Sequence, residues 1–342
     1  MKNLFLGVAV IALSVTAFAQ DAAPSPGEIV AAAPQSDWLR IPADDLLVMD
    51  LAPDAEGNPR RVVIQLMPEP FSQGWVHNIK LLARSHWYGN ISVNRVQDNY
   101  VVQWGDPNYD NPEATGQAKP LPEGLKVMTE AEYTSNLAEW QDRNRQRDKE
   151  WKDRREAIPV VAPVERVIYP ELHRRDAYAP WVDFYDGWPI ASAGQGWEQI
   201  WSPIHCYGMV GVGRNLSPDT GTGAELYTVI GHAPRHLDRN IALVGRVIEG
   251  MEHLSSLPRG KGELGFYADF EKDKRTPILK VRIASDLHEI PQPTFEYLST
   301  ESDSFARYAE ARANRRDAFF IHPAGSADIC NIPVPVRHVP SE

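Results

Sequence analysis

Short segments with the composition of β-strands recur along this chain, and each is bounded by residues typical of turns. Within residues 37–107 and 205–288, only two short segments, residues 74–84 and 250–257, are predicted to be helical. Many short strands with so few helices favour a barrel over an open sheet, because closure leaves no strand edge unpaired. The predicted strands are residues 60–66, 90–96, 100–104, 207–213, 225–231, 241–247 and 277–285.

An arginine interrupts the apolar pattern of one predicted strand. Arg95 lies between Val93 and Val96, and Gln103 has similar neighbours eight residues later, beyond a turn at residues 97–99. A guanidinium buried without a partner costs free energy. One interpretation is a surface strand on which Arg95 points into water. The other is an apolar groove that holds one guanidinium for a substrate.

The first residues have the pattern of a secretory signal peptide. Lys2 precedes an apolar run over residues 4–15, and Ala17 and Ala19 form a small-x-small cleavage site. We therefore expect cleavage near Ala19 and a periplasmic or secreted protein. No later segment is long and apolar enough to cross a bilayer, so no membrane insertion is expected.

Composition limits the possible partners and chemistry. The chain has 342 residues and a net charge of -11, which argues against nucleic acid and anionic membranes as partners. Its two cysteines and ten histidines show no metal-ligand spacing, so we predict no metal. In an oxidising compartment we expect a disulfide between Cys206 and Cys330, with two separate thiols as the alternative.

The remaining segments divide the chain around its predicted core, residues 37–107 and 205–288. We expect a flexible leader over residues 20–36, an insertion over residues 108–204 and a C-terminal extension over residues 289–342. In the insertion, a capping box at residues 129–132 precedes a predicted long charged helix at residues 141–156, and a tryptophan-bearing segment at residues 181–201 reads as an ordered loop packed on the core. The extension contains one predicted helix, at about residues 302–316.

The order of these segments resembles the cyclophilins, which are peptidyl-prolyl cis-trans isomerases. The resemblance covers roughly residues 60–107 and 205–287. It is carried by N-R-V-Q-D-N-Y-V-V-Q-W-G-D-P at residues 94–107, Y-G-M-V-G-V-G-R at residues 207–214, and L-D-x6-G-R-V-x-E-G-M at residues 237–251. It implies a mainly β fold, a closed eight-stranded antiparallel barrel with two capping helices.

The family's working residues can be carried over one position at a time. Arg95 matches the catalytic arginine, and Gln103 matches the glutamine that accompanies it. The matching groove positions are Tyr100 for Phe, Val101 for Met, Gly213 for Ala, Tyr227 for the Phe of the pocket floor, and Leu237 for Leu. The departures are Asn94 for His, Trp104 for Gly, Glu225 for Gln, His236 for Trp, and Ile241 for His. We assign Glu225 and His236 to the substrate-binding groove as well.

The resemblance implies isomerisation of X-Pro bonds in proline-containing polypeptides, and the signal-peptide pattern adds the expectation that these are proteins of the cell envelope. Amide resonance sets a barrier of ~18–20 kcal/mol to this rotation, and lowering it requires no nucleophile, metal or cofactor. Arg95 would donate a hydrogen bond to the proline amide, with Gln103 orienting the guanidinium. The alternative is a proline-peptide binding module or chaperone that uses the same groove with little turnover.

Glu225 is the departure with the clearest chemical consequence. The resemblance places it across the groove from Arg95, where its carboxylate can pair with the guanidinium and hold it away from the proline amide. The alternative is that Glu225 faces solvent and only adjusts the preference for peptides.

Overall fold

Eight antiparallel strands close into a barrel in the computed structural model. The structure describes residues 23–108, 114–138, 140–142, 176–194, 199–287 and 292–340, so the predicted signal peptide and residues 143–156 of the predicted charged helix lie outside the described residues. The closed barrel confirms the predicted fold class. Around the barrel the strands follow in the order β10 (Leu226–Val229), β5 (Val101–Gly105), β4 (Ile91–Val96), β12 (Pro277–Ile283), β2 (Leu46–Leu51), β3 (Arg60–Leu66), β11 (Leu243–Glu249) and β9 (Met209–Val212).

A helix closes the barrel because its apolar residues recur on one face. Helix α2 (Gln73–Arg84) follows α1 (Pro26–Ala31) in the chain and buries Trp75, Ile79 and Leu82 completely. The Trp75 indole N–H donates to the carbonyl oxygens of Thr220 (3.1 Å) and Gly221 (3.0 Å), so the apolar cap leaves no buried donor unpaired at this position. A one-turn helix, α3 (Glu252–Ser255), lies beside β3.

The tryptophan-bearing part of the insertion is a sheet, so the prediction of a loop was wrong, although the segment is ordered and packs on the barrel as expected. Strands β6 (Val182–Tyr185), β7 (Trp188–Ala193) and β8 (Ile200–Pro203) pair antiparallel in chain order. The sheet packs on the barrel through Trp188, which is fully buried with its ring 4.5 Å from the Arg246 guanidinium. The sequence did not predict β7 because the strand contains Pro189, and proline is usually found on an edge strand or outside strands.

The predicted capping box at residues 129–132 is present, but it begins only a single 3-10 turn. Thr129 caps residues Glu130–Tyr133, and the Glu132 carboxylate accepts the Thr129 backbone N–H at 2.8 Å. The capped element is therefore separate from the helical residues 140–142 further along the insertion.

Both ends of the described chain pack on the barrel as ordered structure. The predicted flexible leader was wrong from residue 26 onwards, because α1 forms there and contacts α4 (Asp303–Ala313). Ser25 caps α1 through a reciprocal capping box with Glu28. A small antiparallel sheet joins the ends, with β13 (Phe295–Leu298) between β1 (Trp38–Arg40) and β14 (Val336–His338).

A disulfide joins the C-terminal extension to the barrel. Cys206 and Cys330 are bonded, 124 residues apart in sequence, with Cα atoms 5.1 Å apart. Cys206 lies three residues before β9, so the bond fixes the tail where the chain re-enters the barrel. Within the described part of the chain, every helix is too short or too polar to cross a membrane.

Candidate active site

The predicted groove residues surround one cavity of about 610 Å³ on the outside of the barrel. The predicted members that line it are Arg95, Tyr100, Val101, Gln103, Gly213, Glu225, Tyr227 and Leu237. His236 is set back from this lining and stacks on Tyr100, with ring centroids 6.2 Å apart. Residues for which sequence reasoning had assigned no groove role also line the cavity: Ala114, Arg214, Glu263, Leu264 and Phe266.

A single row of cross-strand neighbours carries the polar end of the groove. Arg95 on β4 pairs with Gln103 on β5, Gln103 pairs with Tyr227 on β10, and Tyr227 pairs with Gly211 on β9. Residues directly opposite one another in a sheet project on the same face. The row therefore places guanidinium, amide and phenol side by side.

A β-bulge decides which way Arg95 points. The pairing of β4 with β5 shifts between Val93 and Arg95, which leaves Asn94 as the extra residue. Residues two apart on a regular strand share a face, so without the bulge Arg95 would point inward with Val93, which is fully buried in the core. The bulge turns the guanidinium outward, as the groove interpretation of the sequence required.

Three hydrogen bonds hold the Arg95 guanidinium. Its Nη1 donates to Gln103 Oε1 (3.1 Å), its Nη2 to Gln97 Oε1, and its Nε to the Leu264 carbonyl oxygen (2.8 Å). Among the described residues, no carboxylate lies within ion-pair distance of it, and burial lowers the pKa of Arg95. A guanidinium has five N–H donors, so one N–H on each terminal nitrogen is left for a ligand.

Glu225 reaches Arg95 through Gln103, which corrects the direct ion pair expected from the sequence. Gln103 Nε2 donates to Glu225 Oε2 at 3.2 Å, while Gln103 Oε1 accepts from Arg95. The Glu225 side chain is buried and occupies the space over Gly105, where a Cβ would lie 1.9 Å from its Oε1. The carboxylate thus fixes which end of the Gln103 amide faces the arginine.

Two residues of the loop after α3 contact Arg95, and neither was predicted from the sequence: Leu264, through its carbonyl oxygen, and Phe266, through its ring. The Phe266 ring lies 5.4 Å from the Arg95 guanidinium carbon, and the Tyr100 ring lies 5.7 Å from it. The loop approaches closely at Gly265, where a Cβ would be 2.8 Å from the Gln97 Cα. The sequence signal for this loop was the glycines at residues 260, 262 and 265. They indicate a closely packed backbone, but they do not indicate which residue it packs against.

The apolar end of the groove is a small cluster separate from the barrel core. Val101, Tyr227 and Val229 form its buried part. The partly buried residues around them are Tyr100, Leu237 and Ile241. These side chains make a concave apolar surface beside a guanidinium, which suits a small apolar ring attached to a polar amide.

Gly213 gives the groove its width beside Glu225. Its backbone N–H donates to the Glu225 carbonyl oxygen at 2.8 Å, and a Cβ at this position would lie 2.8 Å from the Glu225 Cβ. Glycine is therefore the side chain that fits next to this glutamate. Within the described ranges, no cluster of three or more His, Cys, Asp or Glu could hold a metal ion.

The model of the cyclophilin type peptidyl-prolyl cis-trans isomerase family matches residues 55–285. The chain belongs to the cyclophilin family. It is therefore a peptidyl-prolyl cis-trans isomerase, an enzyme that acts on proline-containing polypeptides. The match runs through the insertion, so the barrel halves on either side of it form one cyclophilin unit.

Two solved cyclophilin structures were found to be similar to this chain. Cyclophilin AquaCyp293 from Hirschia baltica is 18% identical, with a TM-score of 0.59, and the alignment covers 90% of this chain and 97% of that one. A cyclophilin type peptidyl-prolyl cis-trans isomerase from Cryptosporidium parvum is 14% identical, with a TM-score of 0.36 and coverage of 70% and 97%. No curated protein sequence matches the chain. The likeness to the Hirschia baltica protein reaches beyond residues 55–285, so this cyclophilin shares more than its barrel with that structure.

Proposed function

We propose that Arg95 is the catalytic residue of this isomerase and that the enzyme acts on exported proteins in the periplasm. The observation that carries the proposal is the position of Arg95: a partly buried guanidinium with two N–H groups left over, at the edge of an apolar pocket. Such a donor is worth more in a dry groove than in water, because the local dielectric is low.

The chemistry follows from the electronic structure of the amide. When the X-Pro bond twists, the nitrogen loses resonance with the carbonyl, becomes pyramidal and regains a lone pair. An N–H of Arg95 donates to that lone pair, which exists only in the twisted state. An interaction made only in the transition state lowers the barrier without tightening the ground state.

Gln103 acts as a positioning residue for Arg95. Its amide is held on one side by Glu225 and accepts from the guanidinium on the other. The rings of Phe266 and Tyr100, 5.4 and 5.7 Å from the guanidinium carbon, restrict its movement. Arg95 therefore needs little reorganisation when the amide twists, which is the condition for electrostatic preorganisation.

The apolar cluster is the proposed seat of the proline ring. Tyr227 forms its floor and Val101 and Leu237 its walls, next to Arg95 in the same cavity. A ring held there excludes water from the amide nitrogen, so the guanidinium does not compete with solvent.

Two observations support a periplasmic location. The first 19 residues have the pattern of a signal peptide. The Cys206–Cys330 disulfide is of the kind that persists in oxidising compartments. Cell fractionation of the full-length chain and of a variant lacking residues 2–19 tests the location: only the full-length chain should reach the periplasm, and equal distribution would refute export by this segment.

Arg95→Ala tests the catalytic role. NMR exchange on a short X-Pro peptide should show kcat/KM lowered about 100-fold, as when one transition-state donor is removed elsewhere, while peptide affinity measured in the same titration changes little. Arg61→Ala is the matched control. It removes an arginine of strand β3 that pairs with Asp50 of strand β2, and it should leave turnover unchanged. Unchanged exchange in a folded Arg95→Ala protein would refute the assignment. A loss of affinity equal to the loss of turnover would make Arg95 a binding residue only.

A further inference from the structure

A buried chain of polar side chains runs from the floor of the groove into the insertion. The Tyr227 hydroxyl lies 2.9 Å from His205 Nε2, and His205 Nδ1 lies 2.9 Å from Asp238 Oδ1. Asp238 Oδ2 accepts from Arg235 Nε at 2.6 Å, and Arg235 Nη1 donates to Asp176 Oδ2 at 2.6 Å. We call these five residues the polar chain. Sequence reasoning assigned only Tyr227 among them.

The partners of His205 fix the direction of its hydrogen bonds. Asp238 Oδ1 also accepts the His205 backbone N–H, at 3.0 Å, so one carboxylate oxygen holds His205 by both its backbone and its ring. A carboxylate can only accept, and the proton of the neutral ring therefore sits on Nδ1. Nε2 is left as an acceptor, and the Tyr227 hydroxyl donates to it. Burial lowers the pKa of His205 and raises that of Tyr227, which keeps both groups neutral.

The geometry of β9 is adapted to this hydrogen bond. The phenol of Tyr227 lies across Gly211, where a Cβ would be 2.3 Å from the hydroxyl oxygen. Glycine at this position lets the ring reach His205, which is completely buried. A hydroxyl buried without an acceptor is costly. If the acceptor were lost, Tyr227 would gain by turning its hydroxyl to the water in the groove, into the space proposed for the proline ring.

The far end of the polar chain belongs to the insertion. Asp176 Oδ1 accepts the backbone N–H groups of Tyr178 (2.7 Å) and Ala179 (3.1 Å), so its carboxylate is held in place by its own loop. The Tyr178 ring lies 5.0 Å from the Arg235 guanidinium carbon. Burial opposes the charge of Arg235, but the bonds to Asp176 and Asp238 outweigh it and raise its pKa. The insertion thus supplies a carboxylate that keeps Arg235 charged and bound to Asp238.

We propose that His205 is a positioning residue for Tyr227 and that the insertion, through Asp176, holds the floor of the proline pocket in its working position. Asp238 and Arg235 transmit the restraint, because each hydrogen bond that they make within the polar chain involves an ionised group and is buried. The proposal rests on the assignment of the proline ring to the Tyr227 pocket. It gives the insertion a role in turnover that does not require contact with the substrate.

A double-mutant cycle on kcat/KM separates this role from general support of the fold. His205→Leu should lower kcat/KM about fivefold by freeing the Tyr227 hydroxyl. In a protein that already carries Tyr227→Phe, the same substitution should change kcat/KM less than about 1.5-fold, because no hydroxyl remains to be released. Effects of His205→Leu on Asp238 are common to both arms and cancel. Equal losses in the two arms would overturn the proposal.

Further measurements give the cycle its controls. Tyr308→Phe removes a buried tyrosine hydroxyl that bonds the Pro333 carbonyl oxygen in the C-terminal extension, and it should leave kcat/KM unchanged. Leu237→Ala tests the pocket itself: if it lowers kcat/KM while the cycle is additive, the pocket stands and the positioning role fails. If Leu237→Ala has no effect, the pocket assignment fails. Nitrogen chemical shifts of the His205 ring should identify the Nδ1–H tautomer, and the opposite tautomer would contradict the proposed direction of the bonds.

Asp176→Asn tests the contribution of the insertion. It should lower kcat/KM by about twofold to threefold with Tyr227 present and leave it unchanged after Tyr227→Phe. Glu130→Gln removes an exposed charge elsewhere in the insertion and is the matched control. Identical effects of Asp176→Asn in both backgrounds would show that the insertion does not act through the phenol.

Discussion

Replacing Glu225 by glutamine should make this cyclophilin faster. The side-chain amide of Gln103 lies between the two charged groups: its hydrogen bond to Arg95 is 3.1 Å long and its hydrogen bond to Glu225 is 3.2 Å long. The two charges are therefore roughly 7–8 Å apart and attract each other by about 2 kcal/mol at an effective dielectric of 20. In the proposed mechanism, a negative potential at the guanidinium weakens its hydrogen bond to the proline lone pair. If about half of the attraction is felt in the transition state, Glu225→Gln lowers the barrier by about 1 kcal/mol, a gain of severalfold in kcat/KM.

The substitution is informative because glutamine preserves the geometry. Its amide oxygen can still accept from Gln103 Nε2, so the orientation of Gln103 is kept. Glu225→Ala removes charge and acceptor together and should fall below the wild type, because Gln103 is then free to turn. Glu263→Gln removes an exposed charge at the rim of the same groove, where water screens it, and should change little. NMR exchange on one neutral X-Pro peptide measures all four proteins. An efficiency of the Gln variant equal to or below the wild type would refute the electrostatic argument.

Three further outcomes are expected from other parts of the structure. Replacing both Cys206 and Cys330 by serine should lower the free energy of unfolding by up to about 5 kcal/mol, because a loop of 124 residues is released in the unfolded chain; urea denaturation of the oxidised wild type and the variant measures it, and equal midpoints would contradict it. Gly105→Ala should push the Glu225 carboxylate off Gln103 and reduce kcat/KM severalfold with the fold retained, whereas full activity would show that Gln103 needs no such support. Burial, assisted by nearby Arg235 and His236 and opposed by Asp238, holds the folded-state pKa of His205 below its unfolded value of about 6.5. Its contribution to stability is therefore complete above that pH and is lost as the pH falls towards the folded-state pKa, so the urea midpoint should drop less between pH 7.5 and 5.5 in His205→Leu, and parallel drops would refute this.

The barrel and the pairing of Arg95 with Gln103 could be predicted from the sequence because both depend on local chemistry. Residues 60–66 are predicted as a strand and form β3 with the same bounds. Asp98 and Asn99 lie in the tight turn between β4 and β5, and Asn99 takes the positive φ of 52° that asparagine tolerates. A hairpin closed by that turn brings residues eight apart into register, so Arg95 and Gln103 become cross-strand neighbours. The β-bulge between them was not visible in the sequence, yet the function inferred for the arginine required its effect.

Tertiary structure decided the parts whose stability comes from distant contacts. The six-residue helix α1 is too short to be stable alone and exists through its packing on α4, nearly three hundred residues away in the chain. Phe266 and the Leu264 carbonyl reach Arg95 across about 170 residues of sequence, and no periodicity encodes such a contact. The polar chain from Tyr227 to Asp176 depends on tyrosine rather than phenylalanine at position 227, on Gly211 opposite it and on the buried His205. These residues form one hydrogen-bonded unit only when β9, β10 and the insertion pack together. Strand and turn propensities act over a few residues, whereas the desolvation that makes a buried polar group seek its partner arises only in the folded state.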